Sequence, residues 1–237
     1  MTELETRFAD ITRRIEAACV RAGRDPSAVR LLAVSKTQDP DAIREVAALG
    51  IETFGENKVQ EARAKIPLCP SRLHWHLIGH LQSNKAREAV SLFEMVHAVD
   101  SLRLLETLDR LAGEEGKTLP VCLEVNVSGE RSKFGIPPNA VLETLRAAHS
   151  LFKVKVVGLM TIPPIVEDAE ESRPFFQSLR EIRDHMQEQT GMSLPELSMG
   201  MSHDFEIAIE EGATWIRVGT LLFGPRKRKE THDLSDP

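Results

Sequence analysis

LLAVSKTQDPDAIREVAALG, residues 31–50, states the grammar that the rest of the chain repeats. LLAVSK (31–36) is a short apolar run with a hydrophilic end, the pattern of a buried strand. Asp39 and Pro40 then supply a helix start, and Ile43, Val46 and Ala47 recur at helical spacing until Gly50 stops them. The same strand-then-helix order returns in IETFGEN (51–57) before VQEARAKI, LHWHLIG (73–79) before SNKAREAV, FEMVHAV (93–99) before LRLLETLDRLAGEEG, and PVCLEVNV (120–127) before NAVLETLRAAHS. KVVGLMTI (155–162) precedes a polar-faced helix around 168–189, LPELSMG (194–200) precedes FEIAIEEG, and TWIRVGTLLFG (214–224) closes the series.

No two of these eight strands are joined by a hairpin turn, so they are expected to run parallel with helical crossovers. The economical closure is a (β/α)8 TIM barrel, which takes ~250 residues and would occupy nearly all of a 237-residue chain. A doubly wound sheet is the competing architecture, and no glycine-rich dinucleotide fingerprint supports it. Upstream, Leu4, Phe8, Ile11, Ile15, Ala18 and Ala22 trace an amphipathic helix that Gly23 ends. The expected layout is one α/β domain over 1–237: an extra N-terminal helix at about 2–22, the barrel at about 30–225 and a polar tail at about 226–237.

Thirty basic against 36 acidic residues leave a formal charge of −6, which offers nucleic acid or an anionic membrane no general attraction. Cys19, Cys69 and Cys122 are odd in number and far apart, which argues against a disulfide framework and for a reducing cytoplasm. Neither an export signal nor a membrane-spanning run is legible. The basic run RKRK (226–229) reads as a solvated tail, with no aromatic platform beside it.

A barrel builds its site at the carboxyl ends of its strands. Those positions hold Lys36, Glu56, Asn57, Gly79, His80, Asp100, Asn126, Ser128, Thr161, Ser198 to Ser202, Arg217, Gly219 and Thr220. Lys36 ends an apolar run, so its amine stands at the rim of a buried strand, where desolvation favours the neutral nucleophile that forms a Schiff base. A lysine snorkelling to solvent is the plain alternative. Gly200-Met201-Ser202 leads toward a helix expected over His203–Glu211, and Gly219-Thr220 follows the last strand. Both are able to cradle a phosphate, and each taken alone is equally an ordinary cap or turn. An imine-forming lysine facing a phosphate corner suggests pyridoxal 5′-phosphate (PLP) as cofactor, with Arg217 between the two.

Six linked blocks carry a wider likeness: AVSKT (33–37), FGENKVQEA (54–62), WHLIGHLQSNK (75–85), GLMTI (158–162), LSMGMSHDFEIAI (197–209) and IRVGTLLFG (216–224). In order and spacing they resemble the motifs of the pyridoxal phosphate homeostasis protein family. The resemblance implies a barrel of the alanine-racemase type that holds PLP as an imine, serves vitamin B6 balance and runs no dedicated reaction. It makes Lys36 the imine lysine, sets Arg217 against the pyridine nitrogen and Asn57 beside the ring, and makes Ser202, Gly219 and Thr220 phosphate ligands. Lys58 stands where the family usually has tyrosine, which removes an aromatic cover from the cofactor.

An arginine at the pyridine nitrogen disfavours its protonation and weakens the ring as an electron sink. Racemization is the runner-up activity, and it needs a second acid or base on the face opposite the lysine. In the related racemases that group is a tyrosine from an extra domain, whereas this composition contains no tyrosine. A reading from another class takes His74, His76 and His80 as ligands of a metal-dependent barrel hydrolase, since HxH on a strand turns both imidazoles to one side. Histidines bonded inside the barrel compete with it, and Asp100 and Asp204, the nearest carboxylates, stand where caps are expected. Trp75 and Trp215 read as packing residues, Met160, Met199 and Met201 as pocket lining or gap fillers, and Cys122 as inert. Beyond PLP itself, the expected partners are apoenzymes that receive it, and the expected state is a monomer.

Overall fold

Along each strand the side chains alternate between the barrel interior and the surrounding helix layer, as the pleat requires of a sheet covered on both faces. The structure, a computed structural model, describes residues 1–130 and 132–225. Its strands are β1 Arg30–Val34, β2 Thr53–Glu56, β3 His74–Leu77, β4 Met95–Val99, β5 Leu119–Glu124, β6 Val154–Met160, β7 Glu196–Met201 and β8 Trp215–Val218. Each is parallel to the next, and β8 pairs back onto β1 through Arg30–Trp215 to Ala33–Val218, closing the barrel. Ala33, Phe54, Trp75, Leu77, Val96, Leu123, Leu197 and Ile216 face outward into the main core. Leu32, Val34, Ile78 and Trp215 form a separate cluster within the barrel, and Met95, Ala98, Cys122 and Met160 form another.

The outer layer comprises α2 Pro40–Ala48, α3 Val59–Lys65, α4 Ala86–Leu92, α5 Leu102–Glu114, α6 Val141–Ala148, α7 Arg173–Thr190 and α8 Phe205–Glu210. Local chemistry starts and stops them. Asp39 Oδ1 accepts from the Ala42 N–H at 2.8 Å with Pro40 at the first helical position, and α7 ends on Gly191 at φ 68°. The N-terminal helix α1, Glu3–Arg21, opens on a Thr2/Glu5 capping box and is followed by Gly23 at φ 63°. It docks against α8: Arg14 grips Glu206 at 2.8 and 3.2 Å, and Arg24 donates to the Ile209 and Ala213 carbonyls. Full burial of Phe54, Phe93, Phe176 and Phe205 contributes roughly 1.5–3 kcal/mol each.

The barrel and its N-terminal helix match the sequence expectation, and two boundaries correct it. TWIRVGTLLFG is a strand only to Val218; after Gly219 the residues Thr220–Phe223 form one helical turn, α9. Leu221 and Leu222 are apolar because that turn packs against the core, which hydropathy alone does not distinguish from a strand. The helix expected over His203–Glu211 starts at Phe205, because β7 continues to Met201 and a turn intervenes. Asp204 rather than Ser202 holds that turn, its carboxylate accepting from the Met201 N–H at 2.7 Å. RKRK (226–229) lies outside the described residues.

Candidate functional site

Beyond Val34 the chain leaves β1 through a tight turn in which the Gln38 N–H donates to the Ser35 carbonyl at 3.0 Å. Lys36 and Thr37 are its central residues, and Lys36 keeps the inward parity of Leu32 and Val34. Its side chain lines a cavity of about 290 Å³ at the carboxyl end of the barrel. Asn57, Ser202, Arg217, Gly219 and Thr220, the other residues singled out in the sequence, line the same cavity. Val34, Ile78, Ile162 and Met201 supply apolar walls, and His203, which sequence reasoning missed, completes the rim beside Ser202. The Gly219 N–H donates to Ser202 Oγ at 3.3 Å, which ties the end of β8 to the turn after β7. Asn57 is held close to the β3 exit because Gly79 has no side chain; a Cβ there would sit 2.5 Å from the Asn57 carbonyl oxygen. Asn57 Oδ1 is buried with no hydrogen-bond partner.

Arg217 comes into the cavity from below, almost fully buried. Nη1 donates to Ser198 Oγ at 2.8 Å and Nη2 to the Thr161 carbonyl at 2.9 Å. Burial lowers its pKa to about 10, against the pull of Asp204 and Glu124, so it remains a cation at neutral pH. Because a guanidinium only donates, the Ser198 hydroxyl accepts from it and donates its own hydrogen bond to His97 Nδ1, 2.7 Å away. His97 therefore carries its proton on Nε2 and donates to His76 Nδ1 at 3.0 Å. Burial holds both imidazoles neutral, pushing His76 down to about 4 and His97 well below its ordinary value. Both rings stand edge-on to Trp215, at 5.1 and 6.0 Å between centroids.

The three histidines considered as metal ligands are thus separated. His74 pairs with Glu94 at 2.8 Å, His76 with His97, and His80 with Asp100 at 2.9 Å while stacking on Phe134. Among the described residues no three His, Cys, Asp or Glu side chains converge on a metal position. Asp100 is not a cap; Ser101 caps α5, accepting from the Leu104 N–H. Lys58 lines an adjoining cavity of about 520 Å³ with Gly79, His80 and Lys85, and Asn57 is the wall common to both. Cys122 is fully buried with its thiol pushed far up by desolvation, in keeping with an inert packing residue. Trp75 packs on Phe54 at 5.5 Å, Met160 and Met199 are buried, and Met201 lines the cavity. Glu124, at the end of β5, is raised to about 7 by burial and by nearby Asp100.

A closed eight-stranded barrel with a strand-end lysine facing a serine, glycine and threonine corner defines a protein of the alanine racemase N-terminal domain class, and that family's profile matches residues 9–227. Within that class the chain belongs to the pyridoxal phosphate homeostasis protein family. It is 46% identical to the pyridoxal phosphate homeostasis protein of Aquifex aeolicus, over 93% of this chain and 97% of that one. The protein of the same name from Pseudomonas aeruginosa is 43% identical, over 95% and 97%. Among solved structures, PipY of Synechococcus elongatus PCC7942, described with PLP bound, aligns at a TM-score of 0.78 and 44% identity, covering 90% of this chain and all of that one. These relatives are named for homeostasis and not for a reaction.

Proposed function

We propose that this chain is a PLP-binding barrel, one folded unit over about residues 30–225 with its N-terminal helix, which buffers the cofactor in the cytoplasm. The observation that carries the reading is the convergence of Lys36, Asn57, Ser202, Arg217, Gly219 and Thr220 on one cavity from four strand ends. The names of the relatives and the PLP-bound PipY structure support it. When bound, the cofactor supplies an aldehyde that reacts with amines. The residues present fit it. Lys36 would be the amine that holds the aldehyde carbon. Ser202, Gly219 and Thr220 bring hydroxyl and amide groups to the phosphate. Asn57 contributes an amide whose buried oxygen is otherwise unpartnered.

Arg217, a fixed cation in the cavity wall, would face the pyridine nitrogen and keep a proton off it. That disfavours chemistry in which the ring must accept electrons and leaves Lys36 holding cargo. Sequestration also keeps a reactive aldehyde from free amines. An incoming amine would take the aldehyde by exchange with release of the Lys36 amine, which suits delivery to apoenzymes by a monomeric carrier. Among the described residues no helix is long and apolar enough to cross a membrane.

The test is an absorbance titration with PLP followed by borohydride reduction and peptide mapping. An imine band, a reduced adduct on Lys36, loss of that adduct in Lys36→Ala, and no deuterium exchange at the α carbon of added amino acids are expected. Rapid α-exchange on one amino acid would make the protein an enzyme, and absence of any band would remove the cofactor.

A further inference from the structure

Thr37 has φ 66° and is the one non-glycine residue with positive φ among the described residues. A β-branched side chain is poorly tolerated there, and a turn with positive φ at its third position ordinarily takes glycine or asparagine. Such a conformation persists only where the surroundings over-determine it. They do so on both sides of Lys36. Behind it, the Ser35 carbonyl accepts from Lys65 Nζ at 2.7 Å, and Ser35 Oγ donates to Glu56 Oε1 at 2.8 Å. Ahead of it, the Thr37 N–H donates to Glu61 Oε1 at 2.5 Å. Lys65 joins the two ends, donating to Glu56 Oε1 at 2.9 Å and to Glu61 Oε1 at 2.6 Å. Glu56 and Ser35 are fully buried and Lys65 nearly so, on the outer side of the barrel wall beneath α3. Lys36 itself, of inward parity, lines the cavity on the other side. None of the three charged residues lines that cavity.

We propose that Glu56, Glu61 and Lys65 form a clamp that holds the Ser35–Gln38 turn in its strained shape and thereby sets where the Lys36 amine stands. They are positioning residues for covalent capture of the PLP aldehyde, and the proposal rests on the reading of Lys36 given above. The clamp acts through the backbone. Removing it releases the turn and costs the covalent bond, while the phosphate corner and Arg217, on β7 and β8, keep their grip on the rest of the ligand.

Glu61→Ala is the informative change, because Glu61 is partly exposed and its loss leaves the buried Lys65–Glu56 pair intact. Two probes separate the effects: PLP, and pyridoxine 5′-phosphate, which carries an alcohol where PLP carries the aldehyde. Glu61→Ala is expected to weaken PLP binding by about tenfold, the worth of a hydrogen bond to a charged group, and to diminish the imine band. Binding of pyridoxine 5′-phosphate is expected to stay as in the parent. Adding Thr37→Gly, which permits the same turn without strain, is expected to restore most of the PLP affinity to Glu61→Ala. Equal loss for both ligands, or no recovery with Thr37→Gly, overturns the clamp while Lys36 keeps its role. A reduced adduct on a lysine other than Lys36 in the parent protein overturns both.

Discussion

Arg217 is the residue whose chemistry is most constrained by its surroundings. Two of its five N–H donors are committed to Ser198 Oγ and the Thr161 carbonyl, so the guanidinium cannot turn away without leaving the buried Thr161 carbonyl unpaired. Its position as a cation is fixed by geometry and preserved by a pKa of about 10. Arg217→Gln replaces it with a neutral amide whose oxygen accepts a hydrogen bond from a protonated ring nitrogen. The absorbance of the PLP-loaded variant is expected to move toward that of the ring-protonated cofactor, and an unchanged spectrum counts against the placement of Arg217 at the pyridine nitrogen. The histidines behind it were less legible in the sequence. His97 appeared only as one polar residue in the apolar run FEMVHAV, because its partners come from β3 and β7, far away in the chain. Lys65 was hidden for the opposite reason: in VQEARAKI it reads as a solvated helix residue, and only the packing of α3 beside β1 and β2 buries it between two carboxylates.

At the scale of elements, the strand exits decide the shape of the cavity. Most were legible as apolar runs ending in polar residues, since a parallel strand buried on both faces leaves that signature. The exit of β8 was not, because Leu221, Leu222 and Phe223 extend the run although the chain has turned helical. The exits of β2 and β3 touch directly at Asn57 and Gly79. Gly79→Ala puts a methyl group 2.5 Å from the Asn57 carbonyl oxygen and has to push the β2–α3 connection outward. The expected cost is about 1–3 kcal/mol in a urea melt, with weaker PLP binding because Asn57 moves. A variant with parental stability and parental affinity would mean that the two exits tolerate separation.

For the whole molecule, the buried histidines tie stability to acidity. The folded-state pKa of His76, about 4, lies below the unfolded value of 6.5, so the unfolded chain binds more protons between these limits. Stability is therefore complete above about pH 6.5 and falls as the pH drops toward 4, by up to about 3 kcal/mol from His76 alone. His97 is shifted in the same direction. Glu124 opposes both, since its raised carboxyl holds a proton that the unfolded chain has released between about 4.5 and 7. Glu56, raised by burial, acts in the same direction as Glu124, so the two histidines work against two carboxyls. The part due to His76 is read by His76→Gln, which is expected to make the urea midpoint hold up better on going from pH 7 to pH 5 than in the parent; an unchanged pH dependence in the variant would place the acid sensitivity elsewhere. The barrel closes where β1 meets β8, so the turn bearing Lys36 and the corner bearing Gly219 are neighbours in space and lie at opposite ends of the fold in sequence. A chain emerging from the ribosome exposes the amine early, and the corner beside it is complete only once β8 has paired with β1. The two halves of the cavity wall thus meet only across the β1–β8 seam, and a half-made barrel has a lysine but no berth.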